Sequence, residues 1–204
     1  GCLCLVGSEM CIRDRPYLQT GGRPAFVIRL VLSATLSSVY GLYNSYELCE
    51  AAALPGKEEY LHSEKYQYRC WDWNRPGHIK DEITALNRIR RENPALHEFE
   101  NLRFHQADDD SVLFYSKITL DRGNMILVAV TLDPFDPREA VLHLPLDALG
   151  VPEGDTFEVE DLLTGDHHLW RGARHKVRLD PRVNPAMILR VTVWRFVDYR
   201  TPCF

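Results

Sequence analysis

After Leu96 the chain stops repeating every three to four residues and begins to repeat every two, and that switch limits the fold more than any other feature. Period-two runs put successive side chains on opposite faces, as a strand does. They fall at Leu102 to His105, Val112 to Ile118, Met125 to Leu132, Ala140 to Leu144, Thr156 to Glu160, His175 to Leu179 and Met187 to Val193. Between them lie turn formers: Asp108-Asp109-Asp110, Asp121-Arg122-Gly123-Asn124, Asp133-Pro134, Thr164-Gly165-Asp166 and Asp180-Pro181. Short strands separated by polar turns predict an antiparallel β-sandwich.

The preceding part reads differently. Phe26, Val27, Leu30, Val31 and Ala34 recur at helical spacing with Ile28 and Leu32 on the other face, which predicts a buried helix over Pro24 to Leu36. Pro24 suits its first turn, where a missing N–H costs little. Arg29, Ser33 and Thr35 interrupt the run, which falls short of the roughly eighteen apolar residues a membrane span needs. Val39 to Tyr43, rich in aromatic and branched residues, predicts a short strand. A second helix follows: Ile79, Ile83, Leu86 and Ile89 form one stripe, Asp81 and Glu82 occupy the first turn, and Asn93-Pro94 ends it. Arg88, Arg90 and Arg91 near its end are expected to form a solvated face that complements the helix dipole.

At 204 residues the chain can bury a sizeable core, yet it is short for a complete (β/α)₈ barrel of about 250 residues. With 29 acidic and 24 basic side chains the net charge is -5, which argues against a nucleic-acid partner. Gly1 to Arg15 holds three of the six cysteines and lacks the basic start and cleavage site of a signal peptide. It resembles translated adapter sequence and is expected not to be native. Cys2-x-Cys4 has no matched second pair for a metal, and Cys49, Cys70 and Cys203 are few and far apart, as suits free thiols in a reducing cytoplasm.

The chemistry concentrates in Tyr60-Leu61-His62-Ser63-Glu64-Lys65-Tyr66-Gln67, a loop between apolar-patterned segments. An ammonium beside a phenol suits an anionic, hydroxyl-rich ligand, since the cation meets a phosphate and the hydroxyl adds a directional hydrogen bond. By spacing alone a solvated loop explains the pair as well. Three further blocks stand around it: Leu18-Gln19-Thr20-Gly21-Gly22-Arg23-Pro24-Ala25-Phe26, Tyr40-Gly41-Leu42-Tyr43-Asn44-Ser45-Tyr46-Glu47-Leu48-Cys49-Glu50, and Asp72-Trp73-Asn74-Arg75-Pro76-Gly77-His78-Ile79-Lys80-Asp81-Glu82-Ile83. In this order and spacing, and together with Leu86 to Leu96, they closely resemble the C-terminal third of the bacterial α-1,4-glucan:maltose-1-phosphate maltosyltransferases, a branch of the α-amylase superfamily. The resemblance runs from about Tyr17 to Val191.

That resemblance implies an α/β plus all-β chain: the C-terminal remnant of a TIM barrel over residues 16–96, an antiparallel β-sandwich over 97–193, and a tail 194–204 of unassigned status. It implies a retaining transfer of maltosyl units from α-maltose 1-phosphate to the non-reducing end of an α-1,4-glucan, with release of phosphate. Retention needs two carboxyl groups about 5 Å apart, one as nucleophile and one as acid/base. In this superfamily they, and a third carboxylate, follow earlier barrel strands, so the resemblance puts all three upstream of residue 1 and leaves this chain without catalytic residues. Asn44 to Gly77, far longer than the roughly two to six residues usual for such a connection, then lies on the catalytic face. By match to the family's Lys-Tyr pair, Lys65 and Tyr66 are expected to bind the donor phosphate, where negative charge builds as the bond breaks. No cofactor, metal or membrane partner is implied. A cytoplasmic homodimer is, for a full-length protein.

Other residues are weighed against plainer roles. Glu47 and Glu50 are expected beside the barrel mouth without a chemical role, and Asp108 to Asp110 as a solvated turn rather than a calcium site. His167-His168, in the turn at Gly165, reads as a surface pair. Tyr66, Tyr68, Trp71 and Trp73 suit sugar stacking or packing between barrel and sandwich equally well, and Tyr43 and Tyr46 are candidates for the donor pocket. Related readings are a hydrolase or isomerase of the same superfamily, in which the Lys65 cation would have less use, or a non-catalytic, glucan-contacting β-sandwich. Alone, the chain is expected to be inactive and to expose Phe26 to Leu36 and Val39 to Tyr43.

Overall fold

The computed structural model describes residues 15–52, 68 and 70–193. Helix α1, Arg15–Leu36, is two helical pieces joined across Gly22, whose φ of 56° and ψ of -148° no helix contains. Pro24 therefore sits near the start of the second piece, where its missing donor is not needed. Helix α2, Lys80–Glu92, runs as its stripe predicts, with Leu86 and Ile89 buried and Asn93 following it.

Seven predicted strands form, two at the predicted bounds and five with shifts of one or two residues. They are β1 (Leu102–His105), β2 (Val112–Ile118), β3 (Met125–Thr131), β4 (Arg138–His143), β5 (Thr156–Asp161), β7 (Arg174–Leu179) and β8 (Ala186–Thr192). One strand, β6 (His167–Arg171), and the single-turn helix α3 (Leu146–Leu149) were not legible. His167 and His168 thus open a strand rather than occupying a turn, and Nδ1 of His167 lies 2.6 Å from Oε1 of Glu158 on β5. As an exposed edge strand of mixed polarity, β6 lacks the alternation that a half-buried strand shows.

The strands form a six-stranded antiparallel sheet in the order β1-β2-β3-β8-β5-β6 and a two-stranded sheet of β4 and β7. The sandwich is therefore unequal. Its interior is built from Phe114, Leu127, Phe157, Val159 and Leu189 of the large sheet against Leu142, Val177 and Leu179 of the small one. Register places Tyr115, Val128 and Ile188 side by side on the opposite face. That face carries the helices: Phe26, Leu30, Ile79, Leu86 and Ile89 share one buried cluster with Tyr115, Val128 and Ile188. Every residue of β3 is buried because both of its faces are covered.

This arrangement corrects two expectations. Phe26 to Leu36 is not left exposed: Phe26 keeps 1% of its surface and Ile28, Leu30 and Ala34 none, since the sheet takes the helix's apolar side. Val39 to Tyr43 forms no strand, and Val39 remains 70% exposed. A strand needs a neighbour for its N–H and C=O groups, and among the described residues the sheets end elsewhere.

Polar contacts join helices to sheet. The buried Tyr115 hydroxyl lies 2.5 Å from that of Thr35, which donates to the Val31 carbonyl at 2.7 Å. Asn93 and Asn124 link the end of α2 to the β2–β3 turn through a 2.9 Å side-chain bond. Arg90 departs from its expected solvated role: it donates to the carbonyls of Ala34, Ser37 and Ser38 and lies over the Tyr40 ring. It thereby satisfies carbonyls left open at the end of α1. Arg88 and Arg91 are exposed, as expected. No helix of the described residues is long and apolar enough to cross a membrane.

Candidate functional site

Lys65 and Tyr66 lie outside the described residues, as does Tyr66's neighbourhood in 53–67. What the structure does show is how the two roots of that loop are held. The first root starts with Ser45, in the left-handed region at φ 75°, continues as a single 3₁₀ turn over Tyr46–Leu48, and leaves through Cys49 at φ 52°. Two non-glycine residues in that region within one turn cost on the order of 1 kcal/mol each and persist only where surroundings impose them. The imposition is visible: the Tyr46 ring packs tilted against Phe26 with centroids 4.9 Å apart, its hydroxyl donates to the Phe26 carbonyl at 2.7 Å, and Leu48 is buried. Gln19 of α1 donates to the Ala51 carbonyl at 2.8 Å.

The second root, Cys70 to Ile79, is shaped by Asp72. Its carboxylate accepts the Asn74 amide at 3.0 Å and its carbonyl accepts that of Arg75 at 3.3 Å, turning the chain back. Arg75 then reaches across to the first root. One guanidinium arm donates to the Leu48 carbonyl and the other meets Oε2 of Glu50 at 3.2 Å. The Ile79 amide donates to the Glu47 carbonyl at 2.8 Å, and Nζ of Lys80 donates to that of Trp73 at 2.5 Å. Glu50 thus serves as a structural carboxylate, accepting from Arg75 and from the Ala52 amide. Burial pushes the Cys49 thiol up to about 11, against the nearby Arg23 and Arg75 charges, so it is a neutral thiol.

Several sequence candidates sort themselves on this frame. Tyr46 is engaged with α1 through both its ring and its hydroxyl. Tyr68 is 89% and Trp73 47% exposed, and neither joins a buried cluster, so packing between helices and sandwich does not account for them. Asp109 accepts the Ser111 amide at 2.7 Å, as a turn cap does, and Asp108 accepts the Val141 amide of β4 at 2.5 Å. Among the described residues no group of three His, Cys, Asp or Glu side chains is placed to hold a metal ion. Arg75 is the residue that sequence reasoning passed over. Its partners are a backbone carbonyl and a carboxylate 25 positions away, which leave no periodic signal.

Comparison with known proteins bears on both regions. The family model described as GLGE, C-terminal, matches residues 104–191. The α-1,4-glucan:maltose-1-phosphate maltosyltransferase of Rhodospirillum rubrum is 57% identical over 176 residues, which cover 86% of this chain and 26% of that protein. The proteins of the same name from Cereibacter sphaeroides and Myxococcus xanthus are each 48% identical, over 175 and 179 residues, covering 86% and 88% of this chain and 26% and 27% of theirs. The chain thus spans about a quarter of the length of these relatives. Among solved structures, an α-amylase from Geobacillus thermoleovorans, complexed with acarbose, superposes with a TM-score of 0.59 at 14% identity, over 84% of this chain and 34% of its own. An Anoxybacillus α-amylase gives the same score and identity over 85% of this chain and 33% of its own. At that identity the likeness concerns the fold.

Proposed function

The chain belongs to the α-1,4-glucan:maltose-1-phosphate maltosyltransferase family, and from that premise we propose that it is the C-terminal part of a retaining glycosyltransferase. The enzyme moves maltosyl units from α-maltose 1-phosphate to the non-reducing end of an α-1,4-glucan and releases phosphate. The observation that carries this reading is 57% identity sustained over 176 residues, 86% of this chain. In this reading α1 and α2 are the last helices of a catalytic barrel, and the sandwich backs them.

The donor's phosphate leaves with negative charge growing on its oxygens, so a nearby ammonium and phenol lower the barrier only if they are already in place. Lys65 and Tyr66 take that role. The nucleophile and acid/base that retention requires are assigned to parts of the enzyme beyond this chain, and the chain alone releases no phosphate. Exposed Tyr68 and Trp73, beside the loop's second root, offer flat faces on which an acceptor glucan can stack.

The test is made in a full-length protein carrying this sequence, supplied with maltose 1-phosphate and a short maltooligosaccharide. Orthophosphate release with chain growth by two sugars is expected, and Lys65→Ala should raise the donor KM by about tenfold or more, the loss of one charge-assisted contact. Hydrolysis without chain growth, or donor kinetics indifferent to Lys65, would overturn the reading.

A further inference from the structure

We propose that the sandwich carries a binding site for a neutral saccharide, in the pocket between the β2–β3 turn, α3 and the end of β8. The pocket has a volume of about 290 Å³, near the lower end for ligand sites, and suits one or two sugar rings. Its polar lining is Asp121 and Arg122 of the turn and Arg190 and Thr192 of β8, while Leu149 and Val193 supply apolar surface. It lies at the far end of α2 from the loop roots. Asn124, the last residue of the turn, bonds to Asn93 just after α2, whereas the second root leads into Lys80. A helix of 13 residues sets those ends about 20 Å apart.

Each polar group has bonding capacity left over. The Thr119 hydroxyl and the Gly123 amide both donate to Oδ1 of Asp121, at 2.6 and 2.9 Å, and Oδ2 accepts nothing among the described residues. Arg122 spends one donor, on the Asp147 carbonyl at a long 3.3 Å. Arg190 gives Nε and one terminal nitrogen to Glu160, which leaves the other terminal nitrogen. The Thr192 hydroxyl has no partner among the described residues. Charge then selects the ligand. Asp121 and Glu160 offset the two guanidinium groups, so a phosphate would meet a carboxylate and an amine would meet a guanidinium. A sugar ring meets neither obstacle: its hydroxyls both donate and accept, and its C–H face packs on Leu149 and Val193.

The backbone of the turn is an independent observation. Arg122 is held in the left-handed region at φ 56°, which strains a residue that carries a β-carbon. Glycine or asparagine accepts that conformation readily, so the turn itself does not call for arginine. Strain of this kind clusters at ligand sites, where the side chain is wanted in spite of it. The saccharide class follows from the lining; that the saccharide is an α-1,4-glucan rests on the function proposed above.

The test uses the full-length protein carrying this sequence, run on native gels cast with a soluble α-1,4-glucan. A long glucan can engage this pocket and the acceptor site together, so its retention responds strongly to the loss of either. Arg122→Asn, which keeps the left-handed turn, should weaken retention by about fivefold or more, with Tm unchanged or raised. Thr192→Val should weaken it by about threefold. A short maltooligosaccharide should compete with the gel, and inorganic phosphate at the same concentration should not. Should Arg122→Asn not fold, Arg122→Gly and Thr192→Val read the same quantity.

The site and the proposed function fail separately. If both variants are retained as the parent is, while orthophosphate release and chain growth persist, the pocket is not a saccharide site and the function stands. If maltosyl transfer is absent yet both variants weaken retention, the function fails and the pocket stands. Release by phosphate overturns the site, as does a loss of retention that follows a fall in Tm in Arg122→Asn and is missing in Thr192→Val.

Discussion

The two-faced sheet and the tied loop roots are held by opposite means. The sheet is covered by helices on one face and by β4 and β7 on the other, and its central strand β3 is buried along its whole length. The roots are held by a half-buried tyrosine, a guanidinium and a few backbone carbonyls, with two residues kept in the left-handed region. Apolar burial is non-directional and large, so the sheet sets whether the chain folds. Hydrogen bonds are directional and small in net effect, so they set how the two roots sit against each other. Stability and placement therefore reside in different parts of one molecule.

Substitutions can break that contrast or sharpen it. The largest effect is expected at Phe26, whose ring is buried between α1 and the sheet: Phe26→Ala should cost about 3–5 kcal/mol in denaturant unfolding, with a single transition. A separate early transition that leaves the sheet unfolding as before would show that the helices are not part of the same core. Next comes Gly21, where an added Cβ would lie 2.7 Å from that of Ala25 and 2.9 Å from the Pro134 ring. Gly21→Ala should cost about 1–3 kcal/mol by forcing α1 off the loop after β3; an unchanged midpoint would mean that this approach is not needed.

A smaller effect separates charge from packing. Lys117 is buried in β2 with its ammonium 3.5 Å from the Leu96 carbonyl. Burial, and then the Arg90 charge, push its pKa down to about 8, while Glu98 lifts it in part. Protonation thus costs the folded state more than the unfolded one. The penalty is complete below about pH 8 and fades as the pH rises toward the unfolded lysine value of 10.5. Lys117→Met should be the more stable protein at pH 7, by on the order of 1 kcal/mol, with the difference shrinking by pH 9.5. Parallel pH profiles for the two would dismiss the buried charge. Tyr115→Phe, which removes the bond to Thr35 while Thr35 keeps its Val31 carbonyl, should cost about 1 kcal/mol, measured by thermal melting. The smallest effect belongs to the roots, where Glu50→Gln should alter stability by less than about 0.5 kcal/mol. A larger loss would make the Arg75–Glu50 pair part of the stability core and erase the contrast.

The same division explains what could be seen in the amino-acid order. Strand β3 reads Met125-Ile126-Leu127-Val128-Ala129-Val130, an unbroken apolar run, and such a run forms where both faces are buried. Helix α2 announced itself by stripe and stop signals. Val39 to Tyr43 misled because β propensity describes a fit to a neighbour, and no neighbouring strand is present among the described residues. The strand at His167 was hidden by its edge position, and Arg90 by an expectation that charges face water, when its guanidinium had three carbonyls to cap. Arg75 was hidden for a related reason: a pairing between distant residues through a backbone acceptor has no spacing to read. At the candidate site the sequence offers Lys65 and Tyr66, which lie outside the described residues, and gives no sign of the contacts that hold the two roots.

The strand order has a further consequence for how the molecule is made. Strand β8, which ends at Thr192, inserts between β3 and β5 in the middle of the large sheet. A nascent chain still on the ribosome can assemble the β1-β2-β3 meander early, but β3 keeps an open side until the polypeptide near position 190 has emerged. Until then one side of an apolar strand lacks its neighbour, and chaperones that shield such edges have their use in that interval.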